Sequence, residues 1–168
     1  MDRIIADWFA NLVFRWPALD QLGIFFADTL AYVIVIAALA YALANARTRW
    51  PIIKAFIVAG IARFGITTLI RLFIERPRPF VELDILPLIE KDIGEFFNSF
   101  PSGHAVFYFA LAASLYKHNR AWGIGLFVAA TLMGIGRMYV GVHWFSDIIG
   151  GAVIGIATVW VFDKVVRK

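Results

Sequence analysis

The chain predicts an all-α fold, a polytopic membrane helical bundle, and three observations carry that prediction. The 168 residues are 61% hydrophobic with a mean hydropathy of +0.77. They include 16 Phe, 6 Trp and 5 Tyr, more apolar surface than a water-soluble domain of this size can hide. The charges gather between long apolar segments rather than along helix faces, as in a chain threaded through a bilayer. The net charge of +4 then reflects topology and calls for no nucleic-acid partner. Without cysteine, disulfides and thiolate metal sites are excluded. Residues 1–20 lack the basic start, clean apolar stretch and small-residue cleavage site of a secretory signal.

Residues 2–16 place Ile4, Ile5, Trp8, Phe9, Leu12, Val13 and Trp16 at helical spacing, opposite Asp2, Arg3, Asp7 and Asn11. This predicts an interfacial helix ended by Pro17. A first span is expected from about Leu22 to Ala44, broken only by Asp28. A basic turn, residues 45–51, leads to a second span whose first turn holds Pro51 and which runs to about Ile74. Arg63 lies deep in that span, where a charge needs a partner, and Asp28 on the antiparallel neighbour is the expected one. Arg71 lies near its far end.

Residues 75–101 form the one long polar insertion. It carries Glu75, Glu82, Asp84, Glu90, Asp92 and Glu95, half of the acidic residues. The spacing of Ile85, Leu88, Ile89, Ile93, Phe96 and Phe97 predicts an amphipathic helix within 82–97 that lies on the membrane as a lid. Further spans follow at about Gly103–Tyr116, Ala121–Met138 and Trp144–Phe162, making about five in a single domain, 1–168. With five spans, Arg47, Arg49, Lys54, Lys117, Arg120, Lys164, Arg167 and Lys168 share one side, which the positive-inside rule makes cytoplasmic. The acidic insertion then faces outward. Gly134, Gly136, Gly151 and Gly155 allow close helix approach.

Three separated stretches reach that outer face: Arg71 to Pro79, Pro101-Ser102-Gly103-His104, and Gly136-Arg137 with His143 and Asp147. His143 and Asp147 are four apart at a helix start, so the carboxylate can fix one imidazole nitrogen and leave the other free as base or nucleophile. Arg71, Arg78 and Arg137 supply forked donors for phosphate oxygens. Ser102, as helix cap, and Gly103 offer backbone N–H groups where an anion can approach closely. Such a set can stabilise a phosphoryl group in transfer, with His104 placed to protonate the departing oxygen. No carboxylate cluster suggests a magnesium site, so no metal and no cofactor are expected. His118, beside Lys117 and Arg120, reads as solvated loop, and Glu75 with Arg76 as a mutual or headgroup pair.

At these residues the chain resembles the type 2 phosphatidic acid phosphatase family of integral-membrane lipid phosphatases. Its first motif, a lysine, six residues and Arg-Pro, fits Arg71 to Arg78-Pro79 with arginine in place of lysine. Pro-Ser-Gly-His fits Pro101 to His104 in full. Ser-Arg, five residues, His, three residues, Asp fits Gly136-Arg137, His143 and Asp147 with glycine in place of serine. The resemblance implies a phosphohistidine on His143, oriented by Asp147, with His104 as proton donor and Arg71, Arg78, Ser102, Gly103 and Arg137 on the phosphoryl oxygens. It also implies a membrane lipid phosphate as partner in a bacterial inner membrane, with the site facing the periplasm. Undecaprenyl diphosphate ranks first as substrate, ahead of lipid A 1-phosphate, phosphatidylglycerol phosphate and phosphatidic acid. The alternative of a different class is a non-catalytic phospholipid binder or transporter, which arginines alone would allow.

Overall fold

The computed structural model describes residues 1–90 and 92–166. Its helices are α1 (Asp2–Ala10), α2 (Pro17–Ala44), α3 (Ala46–Arg71), the one-turn α4 (Pro79–Glu82), α5 (Gly103–Tyr116), α6 (Arg120–Tyr139) and α7 (Phe145–Val166). Helices α2, α3, α6 and α7 are long and apolar enough to cross a membrane. Only 28% to 33% of their most apolar stretches are buried within the protein, and Ile36, Leu39, Trp50, Phe64, Val153 and Trp160 point outward. An apolar exterior of this extent requires lipid around it.

Helix α5 is the exception among the expected spans. Its 14 residues reach only about 21 Å, short of the roughly 30 Å hydrocarbon core. It runs through the centre from the site end to the end where Lys117 meets Asp163, packed on α7, α6 and α3, with Val106, Ala110, Leu111 and Ala112 fully buried. Small residues permit this. A Cβ on Gly155 would lie 2.4 Å from the Val106 carbonyl oxygen, and one on Gly151 would lie 2.7 Å from Ala105 Cβ. The glycines expected to bring helices together do so here, which fixes the start of α5 against the start of α7.

Several boundaries differ from the sequence expectation. Helix α1 stops at Ala10 rather than near Trp16, because the chain turns through Phe14, whose φ is 64°, and the Asp20 carboxylate accepts from the Phe14 N–H at 3.2 Å. Pro17 therefore opens α2 at its first turn instead of merely ending α1. Helix α3 begins five residues before Pro51, since Asn45 Oδ1 accepts from the Arg47 N–H at 3.1 Å and caps it; Pro51 is accommodated inside the helix. The amphipathic helix expected across 82–97 is replaced by short pieces, α4 and a 3-10 turn at Ile93–Glu95. Its flanking backbone is engaged elsewhere: the Arg76 and Arg78 N–H groups donate to the Phe97 and Phe96 carbonyls at 2.8 and 2.9 Å, and Ser99 N–H to Arg76 at 3.1 Å. A parallel bridge between 76 and 98 competes with helix for those groups.

The two ends of the bundle are unlike. At one end Asp163 on α7 pairs with Lys54 on α3 at 3.3 Å and with Lys117 after α5. Arg167 and Lys168, expected at this end from the sequence, lie outside the described residues. At the other end lie residues 75–101, the start of α5 and the turn between α6 and α7.

Candidate active site

The site is assembled from three backbone constraints. The 76–78 and 96–99 pairing carries both Arg78 and Ser99 into the interior. The start of α5 is tied to α7 by a hydrogen bond from the Ser102 N–H to the Asp147 carbonyl at 3.1 Å. The α6–α7 turn passes through Gly141 at φ +80°, a left-handed conformation that glycine adopts without strain, and its carbonyl accepts from the Phe80 N–H. That turn delivers Val142 and His143 onto Arg78.

Asp147 is completely buried and saturated with donors. Its Oδ2 accepts from Ser99 Oγ at 2.5 Å and from the Trp144 N–H at 2.8 Å, and faces His143 Nδ1 at 3.4 Å. Its Oδ1 accepts from Arg76 Nη1 at 2.6 Å. The bond to Trp144 closes the first turn of α7 as a capping box does, with the third helical residue reaching back to the cap N–H. The carboxylate is thus part of the helix start as well as the partner of an imidazole.

An ionised Asp147 can only accept, so Nδ1 of His143 carries the hydrogen. On the other side of the ring, Nε2 lies 3.3 Å from Arg78 Nη1, and a guanidinium can only donate. Nε2 therefore presents its lone pair. Burial pushes the His143 pKa well below its ordinary value, and the neighbouring positive charges of Arg78, Arg137 and Arg71, with His104, push it the same way. The geometry holds a neutral imidazole with a defined tautomer among fixed cations.

Those cations are held by carbonyls and remain able to bind more. Arg78 is 2% exposed and donates to Glu95 O at 2.7 Å and Val142 O at 2.8 Å. Arg71 Nη2 donates to Pro101 O at 2.8 Å, and Arg137 Nη1 donates to Ala27 O at 3.0 Å while lying 3.4 Å from His104 Nε2. Arg71 Nε and Arg137 Nε are buried donors with no partner among the described residues, an uncommon condition that an incoming anion would relieve. Ser102 caps α5 by accepting from the Ala105 N–H at 3.5 Å. His104 is the more exposed of these two imidazoles. All eight residues singled out from the sequence (Arg71, Arg78, Ser102, Gly103, His104, Arg137, His143 and Asp147) converge.

Two expectations are corrected here. Arg63 does not pair with Asp28 among the described residues; its guanidinium lies over Gly103, where an added Cβ would come within 1.8 Å of Nη1. Among the described residues Arg76 does not pair with Glu75 but bridges Asp147 and Asp2, the latter at 2.6 Å from Nη2. Burial raises the Asp2 carboxyl, but hydrogen bonds from Ser146 and Arg76 outweigh it and hold the group below its ordinary value. Ser99, Ser146, Asp2 and Trp144, whose Nε1 donates to Pro77 O at 2.8 Å, complete a shell that residue spacing did not reveal.

The profile of the PAP2 superfamily matches residues 29–168. The chain belongs to that family. It is 31% identical over 148 residues to undecaprenyl-diphosphatase BcrC of Bacillus subtilis, covering 87% of this chain and 74% of that protein. The crystal structure of a transmembrane PAP2 type phosphatidylglycerolphosphate phosphatase from Bacillus subtilis superposes with a TM-score of 0.68 at 25% identity, covering 99% of this chain and 84% of that one. That of Aquifex aeolicus LpxE gives 0.70 at 27% identity, covering 95% and 92%. The PAP2 chain is accordingly a membrane lipid phosphatase, a hydrolase of phosphate bonds. At Gly136, where the sequence motif calls for serine, there is no room for a side chain. A Cβ there would lie 2.6 Å from Ala27 N and 2.8 Å from Phe26 Cβ, on the π-helical stretch Phe25–Thr29 of α2 whose Ala27 carbonyl holds Arg137.

Proposed function

We propose that this PAP2 chain removes the terminal phosphate of a polyprenyl diphosphate, undecaprenyl diphosphate first among candidates, through a phosphohistidine on His143. The observation that carries the reading is the imidazole with Nδ1 toward Asp147 and Nε2 toward Arg78, in a ring of arginines with two unpartnered buried donors. A binder needs the arginines; it has no use for an oriented neutral imidazole.

As the phosphate enters, Arg78 exchanges its contact with Nε2 for a phosphate oxygen and frees the lone pair. Nε2 attacks phosphorus, the N–P bond forms, and the P–O bond to the leaving group breaks. His104 delivers a proton to the departing oxygen. Water then attacks the phosphohistidine, His104 takes its proton, and phosphate is released. Arg71, Arg78 and Arg137, with the Ser102 and Gly103 N–H groups, stabilise the charge on the three equatorial oxygens. Asp147 fixes the tautomer and balances the positive charge that develops on the ring.

The site end faces the exterior or periplasm and acts at the outer leaflet of a bacterial inner membrane, since Lys54, Lys117, Arg47 and Arg49 gather at the opposite end. The whole chain acts as one domain. The name of the Bacillus relative supports the diphosphate, and the name of the phosphatidylglycerolphosphate phosphatase supports a phospholipid monoester at the same site. Phosphate release by purified protein from undecaprenyl diphosphate, phosphatidylglycerol phosphate, phosphatidic acid and lipid A tests the reading. Fastest kcat/KM on undecaprenyl diphosphate is expected; preference for another lipid replaces the substrate, and release from none of them overturns the enzyme.

A further inference from the structure

Arg63 is a cation beside the site that the transfer chemistry leaves unused. It lies in a π-helical stretch, Ile61–Ile66, within α3. Such widened turns displace side chains from the regular helical path and recur at functional positions. A Cβ on Gly103 would lie 1.8, 2.2 and 2.6 Å from Arg63 Nη1, Cζ and Nε, so the guanidinium covers the start of α5 along its whole edge. Arg63 is an electrostatic neighbour of Arg71, Arg78 and Arg137. Yet among the described residues it has no hydrogen bond or ion pair: the opposite charge that acts on it is Glu95, which pairs with Arg78 at 3.7 Å, and the Phe64 ring lies 5.6 Å from Cζ. A guanidinium within a membrane span that no carboxylate pairs directly is costly and is retained for a ligand or a pathway.

Position decides which part of a ligand it meets. Arg63 precedes Arg71 by two helical turns, roughly 12 Å deeper along α3, so its stem enters the site from the bilayer side. The oxygens of the phosphoryl group in transfer are served by Arg71, Arg78, Arg137 and the α5 backbone. Between the reacting phosphorus and the lipid tail, a diphosphate carries a second phosphate, and a monophosphate carries none. We infer that Arg63 binds the lipid-linked phosphate of a diphosphate substrate and is the residue by which this site favours diphosphates over monophosphates. The inference rests on the phosphatase reading above and sharpens its substrate class.

The test is kcat/KM for phosphate release from farnesyl diphosphate and farnesyl monophosphate, by wild type, Arg63→Met and Arg63→Lys in detergent. For Arg63→Met the diphosphate value is expected to fall about 30- to 100-fold, the loss of one charge-assisted contact, and the monophosphate value to fall far less. The monophosphate rate of the same preparation reports folding. Where the methionine variant does not fold, Arg63→Lys reads the same ratio, with an expected diphosphate-selective fall of about 3- to 10-fold, since lysine keeps the charge and loses the fork. Equal losses on both substrates, or none on either, overturn the inference while leaving the phosphatase reading intact. A wild type that cleaves the monophosphate and not the diphosphate overturns the diphosphate reading and this inference together.

Discussion

Ser99→Ala isolates what the buried shell around Asp147 contributes. Ser99 Oγ donates to Asp147 Oδ2 at 2.5 Å, and both residues are fully excluded from solvent. A hydrogen bond to a charged acceptor contributes about 1.5–3 kcal/mol. The carboxylate would keep Arg76 at 2.6 Å and the Trp144 N–H at 2.8 Å, so it stays ionised and in place on one edge. What it loses is the shorter of the two donors, Ser99 Oγ and the Trp144 N–H, that hold Oδ2 toward the His143 ring, itself the longest contact of the set at 3.4 Å. If that whole contribution acts in the transition state, kcat falls about 10- to 100-fold at 1.36 kcal/mol per decade. KM should barely move, because Ser99 touches no phosphate-binding donor, and the unfolding midpoint in detergent should drop. Initial rates of phosphate release over a range of substrate concentrations, with thermal unfolding on the same preparation, read both. A kcat within about twofold of wild type, or a loss confined to KM, would refute the reasoning.

Asp147→Asn should be more severe, about a hundredfold or greater in kcat, because the amide must present either its NH₂ to Arg76 or that group to three donors at Oδ2; near-normal turnover in stopped assays would show that the carboxylate only caps α7. Gly136→Ser, which restores the residue usual in the family, should destabilise the protein by about 1–3 kcal/mol, since its Cβ meets Ala27 N at 2.6 Å; an unchanged unfolding midpoint would contradict the steric account. The lowered His143 pKa sets the sign of the pH dependence. The ring stays neutral and nucleophilic as pH falls past the ordinary histidine value of 6.5, so the acid limb of kcat/KM assignable to His143 should lie below it. An acid midpoint above 6.5 that moves on substitution of His143 would contradict this.

What the sequence reveals follows from how local each determinant is. Hydropathy marks the four long helices, and charge placement marks the two ends, because both depend on contiguous residues meeting lipid or water. The eight residues of the three motifs are legible because each stretch supplies its own internal spacing and the topology brings the stretches together. Ser99, Arg76 and Asp2 are not, since their roles depend on pairing across the fold: Asp2 and Arg76 are 74 residues apart, and Ser99 and Asp147 are 48 apart. Depth alone points Arg63 to Asp28, whereas its guanidinium, carried on the π-helical stretch, lies over Gly103. The expected amphipathic helix failed for a related reason, that apolar spacing cannot register a backbone already paired between residues 76–78 and 96–99.

The central claim is that His143 becomes phosphorylated during turnover. Rapid quenching of wild-type protein with a lipid diphosphate labelled in its terminal phosphate should trap acid-labile, alkali-stable label on the protein, mapping to the peptide with His143 and forming no slower than phosphate release. His143→Ala should carry no label and release no phosphate while remaining folded in detergent. Substantial release by that variant, or label on another residue of the wild type, would contradict the account.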